Sequence, residues 1–75
     1  MRELVEFIAR SLVDDPDAVR VTEIETDQLT TYEIEVAPDE VGKLIGRQGR
    51  IVKAIRSVVR ASAARQGKRV AVEVI

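Results

Sequence analysis

Apolar and polar side chains recur along this chain with two periods, one typical of helices and one typical of strands. Over residues 2–13 the apolar positions lie three and four apart, which predicts an amphipathic helix that ends at an Asp-Asp-Pro-Asp segment. Residues 18–26 and 31–36 instead alternate apolar and polar side chains, and they predict two strands joined by a turn at residues 27–29. The first strand loses its alternation before Ile24, and we interpret this slip as a β-bulge.

A second helical region occupies the middle of the chain, and a last strand follows it. Proline is favoured at a first helical position, so a short helix is predicted over residues 38–45, where Gly46 breaks it. A longer helix is predicted over residues 49–66, with Gly67 suited to the position after its C-terminus, and residues 69–75 alternate as a strand. The predicted buried stripe of the longer helix consists of Ile51, Val52, Ile55, Val58, Val59 and Ser62.

The element order is therefore α-β-β-α-α-β within a single domain that spans residues 1–75. Such an order predicts an α+β fold of two layers, in which a three-stranded sheet has three helices on one face. The other face of the sheet is expected to present Glu33, Glu35 and Glu73 to solvent. The two aromatic residues, Phe7 and Tyr32, are predicted to lie in the core.

Composition excludes several classes of function. The chain contains no cysteine and no histidine, so disulfides, thiolate metal sites and a histidine-dependent triad are ruled out. We predict no catalytic residue, no metal site and no cofactor, and we do not expect an enzyme. The N-terminal segment is interrupted by acids and no apolar run approaches about 20 residues, so a cytoplasmic protein without membrane insertion is expected.

Charge is divided unequally between the two parts of the chain, although the net charge is only −1. Residues 1–40 contain three arginines and twelve acids, whereas residues 41–72 contain nine cations and no acid. A chain divided in this way can have a strong positive field over one surface without being basic as a whole. Net charge therefore does not exclude a nucleic-acid partner.

The residues best suited to bind such a partner lie between the short helix and the long helix, in the segment Leu44-Ile45-Gly46-Arg47-Gln48-Gly49-Arg50-Ile51. Two glycines three positions apart allow positive φ angles and the close approach of another backbone. The start of the long helix offers unpaired N–H groups and partial positive charge, which favour a phosphate. Arg47 and Arg50 add full charges there, and Lys53 adds another one turn along.

This segment resembles the signature of KH domains, whose Gly-x-x-Gly loop clamps the backbone of about four nucleotides. The extra helix and strand before the β-α-α-β core resemble the type II KH arrangement, and the size of the chain is similar to the small KhpA family of bacterial KH proteins. The resemblance implies a protein that binds single-stranded RNA as an RNA chaperone or post-transcriptional regulator. It also implies association with itself and with a KhpB (Jag) type KH protein, and links to cell shape, cell wall organisation and envelope homeostasis.

Carried over by position, Gly46, Arg47, Gln48 and Gly49 match the clamp of the family. Arg50, Lys53, Lys43 and Ile45 lie beside this loop in the sequence and complete the predicted RNA-binding residues. Gln48 stands where many members of the family have a second cation, so we expect weaker attraction of phosphate. No aromatic residue is expected beside the loop, and stacking worth about 1–3 kcal/mol per base is therefore absent. We expect a weak site that reads the RNA backbone and that needs a second copy to hold RNA.

The alternative is a protein-interaction module that uses the loop and the long helix 49–66 as a dimer interface. The second half of that helix is apolar over more than one stripe, which often indicates a partner. The residues concerned are Val58, Val59, Ala61, Ala63 and Ala64. Arg56, Arg60 and Arg65 are interpreted as a solvated face with auxiliary contacts at most, and neither a Walker A loop nor a dinucleotide fingerprint is present.

Overall fold

The computed structural model describes residues 1–75, and its elements follow the predicted order. Three short 3₁₀ turns lie between them, at Pro16–Ala18, Pro38–Glu40 and Arg47–Gly49. The helices and strands are α1 (Arg2–Leu12), β1 (Arg20–Glu25), β2 (Thr30–Glu35), α2 (Val41–Ile45), α3 (Arg50–Ala64) and β3 (Val70–Val74).

The three strands form one sheet in the order β1-β2-β3, with β1 antiparallel to β2 and β2 parallel to β3. The predicted turn joins β1 to β2, and in it the Thr26 N–H donates to the Leu29 carbonyl at 2.9 Å. A parallel pair needs a crossover connection, and α2 and α3 supply it. All three helices pack on one face of the sheet, so the predicted α+β, type II KH architecture is confirmed.

The core lies between that face of the sheet and the helices. Its largest fully buried side chains come from both the sheet and the helices and are Ile34, Leu44, Val5, Val59 and Val72. Tyr32 is 4% exposed, as predicted. On the open face, Glu33 pairs in register with Glu73, and Glu35 is exposed, which confirms the predicted acidic surface.

The predicted β-bulge before Ile24 is wrong. The pairing of β1 with β2 is unbroken from Arg20 opposite Glu35 to Glu25 opposite Thr30. Side chains alternate across a regular strand, so Ile24 lies on the open face and is 44% exposed. The irregular pattern arose because glutamates occupy the helix-facing positions near the end of β1.

The predicted burial of Phe7 is also wrong, since this side chain is 69% exposed. In α1 the buried residues are Val5 and Ala9, and Phe7 lies away from them on the side that faces α3. Val58 of α3 was expected in the buried stripe but is 49% exposed, and Ala63 is buried instead. An apolar strip on each helix is therefore left uncovered, and both strips lie on the same surface.

Gly67 follows the C-terminus of α3 and takes the C′ position, as predicted. Gly67 has a φ of +68°, its N–H donates to the Ala64 carbonyl at 3.1 Å, and the Lys68 N–H donates to the Ala63 carbonyl at 3.0 Å. This pair of hydrogen bonds is a Schellman motif. It fixes the backbone that enters β3 and so determines where Lys68 and Arg69 lie.

Candidate nucleic-acid interface

The loop from Gly46 to Gly49, called here the glycine loop, has an unusual backbone. Gly46 has φ 74° and ψ 173°, Gln48 has φ 58° and ψ 25°, and Gly49 has φ 72° and ψ 17°. Two hydrogen bonds hold this path, from the Gly46 N–H to the Gly42 carbonyl at 2.8 Å and from the Gly49 N–H to the Gly46 carbonyl at 3.1 Å. The chain thus leaves α2, turns sharply and enters α3.

The two glycines are required for different reasons. A Cβ atom on Gly46 would lie 2.6 Å from the Ile51 Cγ1 atom, so packing as well as backbone conformation excludes a side chain there. The combination of positive φ with ψ near 180° at Gly46 is essentially restricted to glycine. A Cβ atom on Gly49 would meet only the Val52 Cγ1 atom, at 3.9 Å. The surface over Gly49 is therefore open to another molecule.

The charged side chains around the glycine loop are positive, and they form no ion pairs. Gly49 is the N-cap of α3, and no side chain caps this helix terminus. Arg47, Gln48 and Arg50 are exposed, and the Arg50 Nη2 group donates to the Gln48 Oε1 atom at 3.4 Å. None of the four ion pairs of the protein involves a cation of the loop or of α3. This arrangement can receive an anion without breaking an existing salt bridge.

Lys43 differs from the other predicted contacts because its charge already has partners. Its Nζ group donates to the Asp14 carboxylate and, at 3.3 Å, to the Glu40 Oε1 atom. The hydrogen bond with Asp14, opposed by desolvation, raises the pKa of Lys43. A phosphate would compete with two carboxylates for this ammonium group, so Lys43 is the weakest of the predicted contacts.

The role of Glu40, which is buried at 4% exposure, was not evident from the amino-acid sequence. Its carboxylate accepts hydrogen bonds from the backbone N–H groups of Asp14 and Asp15, the latter at 3.2 Å. The Asp14 hydrogen bond is the largest cause that lowers the pKa of Glu40, and desolvation opposes it. The carboxylate ties the end of α1 to the start of α2. No local pattern indicates this contact, because the partners lie 26 and 25 residues away.

The helix α3 presents three different surfaces. Val52, Ile55, Val59 and Ala63 face the sheet. At about 100° per residue, Lys53, Arg56 and Arg60 lie within about 60° of one another and form a second surface, called here the basic face. On the other side of the helix axis, about 150° away, Ile51, Ala54 and Val58 face α1.

The basic face follows the free edge of β3. Arg56 was predicted to be solvated, yet it is half-buried and its Nε group donates to the Val72 carbonyl at 3.0 Å. β3 is an edge strand, and this carbonyl points away from β2. Arg56 therefore bridges α3 and the edge of the sheet. At the start of the same surface lie Lys53 and the glycine loop, and Ile45 beside the loop is 40% exposed.

A comparison with known protein families agrees with this geometry. The KH domain of KhpA and KhpB matches residues 2–74 of the chain. The chain belongs to the KhpA/KhpB family of KH domains. The family is a non-enzymatic class, in agreement with the prediction that the chain is not an enzyme.

Individual relatives match over the full length of the chain. The RNA-binding protein KhpA of Clostridium acetobutylicum is 53% identical over 75 residues, which cover 100% of both chains. KhpA of Caldanaerobacter subterraneus is 55% identical over 75 residues with the same coverage. KhpA of Aquifex aeolicus is 45% identical over 75 residues, which cover 100% of this chain and 95% of the relative.

A solved structure has the same fold. The match is to a crystal structure of Era from Aquifex aeolicus, with a TM-score of 0.73 and 22% sequence identity. It covers 97% of this chain and 28% of the Era chain, so the likeness concerns one part of that protein. Within the present chain, none of the helices is long and apolar enough to cross a membrane.

Proposed function

We propose that this chain is an RNA-binding protein that clamps the backbone of single-stranded RNA at the glycine loop. The observation that supports the proposal best is the open backbone over Gly49 at an uncapped helix N-terminus, flanked by Arg47 and Arg50 without ion-pair partners. Helix N-termini favour phosphate, and the missing Cβ lets a sugar-phosphate chain approach closely. Relatives of 45–55% identity are RNA-binding proteins by name.

In this proposal each part of the site has a separate task. The start of α3 and the side chains of Arg47 and Arg50 receive a backbone phosphate, Lys53 receives the next one, and Ile45 contacts a base through its exposed apolar surface. Phe7 lies near the opposite side of α3 and Tyr32 is buried, so no aromatic ring stacks on a base. Binding then depends mainly on phosphate contacts, and sequence preference is loose.

A substitution at Gly49 tests the proposal better than a substitution at Gly46. Any side chain at Gly46 collides with Ile51, so loss of binding there has a trivial explanation. Gly49→Asp adds a negative charge where the structure has room. We expect it to abolish binding of a labelled single-stranded RNA in fluorescence anisotropy while the circular dichroism spectrum stays native.

Ala61→Asp is the matched control, because Ala61 is exposed on the same helix and the change in charge is identical. We expect this variant to keep most of the affinity. The wild type should lose affinity with salt by about 0.7 log units per log unit of salt for each phosphate neutralised. Unchanged RNA binding by Gly49→Asp would refute the clamp.

A second candidate function, association with another KH protein, is supported by the uncovered surface between α1 and α3. This apolar groove has a volume of about 510 Å³, and Phe7 stands beside it at 69% exposure. A second copy of the chain can insert its own Phe7 into the groove while it receives the first, as a two-fold interface requires. The groove is lined by Leu4, Phe7, Ile8, Leu12, Arg50, Ile51, Ala54, Ile55 and Val58.

This surface differs from the one expected from the sequence. Among the residues expected in an interface, Val59 and Ala63 are buried in the core, and Val58 lines the groove. Ala61 and Ala64 are exposed but lie outside the groove, which instead includes Ile51 and Ala54 nearer the start of α3. We expect Phe7→Asp to convert a homodimer into a monomer in light scattering across a dilution series, with Thr22→Asp, at an exposed position on the open face of the sheet, as the control. A wild type that is monomeric at every concentration, and that associates only with a KhpB-type protein, would exclude the homodimer. Loss of that association in Phe7→Asp would then assign the groove to the heteromer.

We include in the proposal the cellular role that the family resemblance implies. In this proposal the chain acts in the cytoplasm as an RNA chaperone or post-transcriptional regulator with links to cell shape, cell wall organisation and envelope homeostasis. Complementation of a deletion strain tests this role. The Gly49→Asp protein should fail to restore cell shape, whereas the Ala61→Asp protein should restore it; equal complementation by both would separate the cellular role from RNA binding.

A further inference from the structure

Two glutamates lie on the helix-facing side of the sheet, near the end of β1. Residues directly opposite each other in an antiparallel pair lie on the same face, so Glu23 is a neighbour of Tyr32 and Glu25 is a neighbour of Thr30. Tyr32 is 4% exposed and Thr30 is 8% exposed. Each of the two carboxylates therefore lies beside a residue that brings a hydroxyl group into the interior.

These four side chains line a cavity of about 150 Å³ between the sheet, the start of α1 and the end of α3. We call this cavity the glutamate pocket. Its polar lining comes mainly from β1 and β2, whereas Met1, Ala63 and Val70 supply apolar surface. The pocket thus offers hydrogen-bond acceptors and an apolar wall within one small space.

The hydroxyl group of Thr30 has no hydrogen-bond partner, although the residue is more than nine-tenths buried. Every side-chain polar atom of the protein that is shut off from solvent has a partner, so this oxygen is reached by solvent. Burial raises the pKa of Tyr32, and the negative charges of Glu23 and Glu25 raise it further. Both carboxylates therefore act on the interior of the pocket.

The charges of Glu23 and Glu25 are not compensated by ion pairs. Neither residue takes part in any of the four ion pairs of the protein. Lys68 also lines the pocket, but its ammonium group lies more than 4.0 Å from every carboxylate oxygen. Two like charges on one face of a strand repel each other. A bound cation relieves that repulsion and supplies a donor to the Thr30 hydroxyl.

The lining suits a cation that has an alkyl chain. A primary ammonium group has three donors, which the two carboxylates and the Thr30 hydroxyl can accept. Methylene groups can lie along the apolar surface of Ala63 and Val70 while the charged end meets the acids. At about 30 Å³ for each water-sized group, the pocket holds about five such groups, which matches the four carbons and one nitrogen of n-butylammonium.

We propose that the glutamate pocket binds the primary ammonium group of an alkylamine, with Glu23, Glu25 and Thr30 as acceptors. The source is either a free diamine or a lysine side chain of another protein, since both present the same butylammonium group. Ala63 lies about 21 Å along α3 from Gly49, so this site is separate from the glycine loop and does not depend on RNA binding.

The protein contains its own reporter for this site. Tyr32 is the only tyrosine and the chain has no tryptophan, so tyrosine emission reports on the pocket. n-Butylammonium chloride is titrated into the full chain, and sodium chloride at equal ionic strength corrects for screening. We expect a saturable change in emission, together with saturable shifts of the backbone amide NMR signals of Glu23, Glu25 and Thr30.

Two variants test the acceptors. Glu23→Gln with Glu25→Gln should abolish saturable binding. Glu33→Gln with Glu35→Gln is the matched control, because it removes the same charge from the open face of the same sheet, and it should bind like the wild type. Thr30→Val removes the hydroxyl with little change in volume and should weaken binding about tenfold, since the lost hydrogen bond is to a charged group. Thermal melting verifies that each variant is folded.

Two further titrations separate the sources of the ammonium group. Tighter binding of putrescine than of Nα-acetyl-lysine amide supports a free diamine as the ligand, and the reverse order supports a lysine side chain. Both results support the ammonium site.

Four outcomes would overturn the inference. The first is a response to n-butylammonium no larger than the response to sodium chloride, and the second is equal binding by the Glu23/Glu25 variant and its control. The third is an equal response to magnesium chloride at equal ionic strength, which would mean that the pocket does not select an ammonium group. The fourth is saturable binding only in Lys68→Gln, which would mean that Lys68 itself occupies the pocket.

Discussion

Substitution by alanine should lower the free energy of unfolding by different amounts at the two glycines of the glycine loop. At Gly49 the backbone is left-handed and the site has room, so Gly49→Ala should lower the free energy of unfolding by about 1–2 kcal/mol. The φ and ψ angles of Gly46 lie in a region where a residue with a Cβ atom is strained by about 1–3 kcal/mol. The new Cβ also meets Ile51 at 2.6 Å, and such overpacking costs about 1–3 kcal/mol more.

We therefore expect Gly46→Ala to be the more damaging change by about 2 kcal/mol. Glycine also loses more conformational entropy on folding than alanine, but that effect is the same at both sites and cancels in the comparison. Urea denaturation followed by circular dichroism measures both values. RNA affinity should show the opposite order among folded molecules, because the methyl group at Gly49 projects toward the surface on which we propose that RNA binds.

A double-mutant cycle with Ile51→Ala isolates the steric part of this effect. The truncation removes the Ile51 Cγ1 and Cδ1 atoms, which would lie 2.6 and 2.9 Å from the new Cβ atom, and leaves the Ile51 Cβ atom at 2.9 Å. Relief should be partial, with a coupling of about 1 kcal/mol between Gly46→Ala and Ile51→Ala. The same cycle with Gly49→Ala is the control and should be additive within about 0.5 kcal/mol. Equal costs for the two glycines, or equal coupling in the two cycles, would refute the steric account.

Three further predictions concern the stability of the fold. The hydrogen bond from the Asp14 N–H lowers the pKa of Glu40 below 4.5, so the stability that Glu40 contributes is present above the unfolded-state pKa and is lost as the pH falls through the folded-state pKa. Glu40→Gln should be less stable than the wild type at neutral pH and should show a flatter acid dependence, as thermal melts at a series of pH values would reveal; parallel curves contradict this. Phe7→Ser should change the free energy of unfolding, measured by urea denaturation of dilute protein, by no more than about 0.5 kcal/mol, because Phe7 is exposed. Ile34→Ala should lower it by about 2–5 kcal/mol, because Ile34 is fully buried. A large loss for Phe7→Ser would mean that this side chain is buried. Gly67→Ala should cost about 1 kcal/mol in the same assay, because φ is +68° but no atom lies within 4 Å of the added Cβ; a cost as large as that of Gly46→Ala contradicts the open site.

Most elements were predictable because their signals are local. A strand or helix packed on one side repeats its apolar positions with its own period, and Tyr32 and Ile34 show this in β2. Caps are local as well: proline at residue 38 and glycine at residue 67 act through their own backbone angles. The glycine loop was recognisable for the same reason, since conformational freedom and charge belong to the residues themselves.

The errors arose where burial depends on a neighbouring element. Phe7 and Val58 have the residue types and spacing of core positions, yet the surface where α1 and α3 meet is left open, and no pattern within either helix reveals that. Ile24 was misplaced because Glu23 and Glu25 occupy positions on the helix-facing side of an edge strand. An apolar side chain is favoured in a buried environment, but it is buried only where another element packs against it.

The element order, the α+β class, the division of charge and the glycine loop with its arginines follow from the amino-acid sequence, because each depends on residues that are close to one another along the chain. Which charges are free is set only by the tertiary structure. It paired Lys43 with Asp14 and Glu40, set Arg56 against Val72, and gathered Arg60, Lys68 and Arg69 without counter-charges. Ion pairs and charge clusters form between residues that are distant in sequence, so their partners become definite only when the chain has folded.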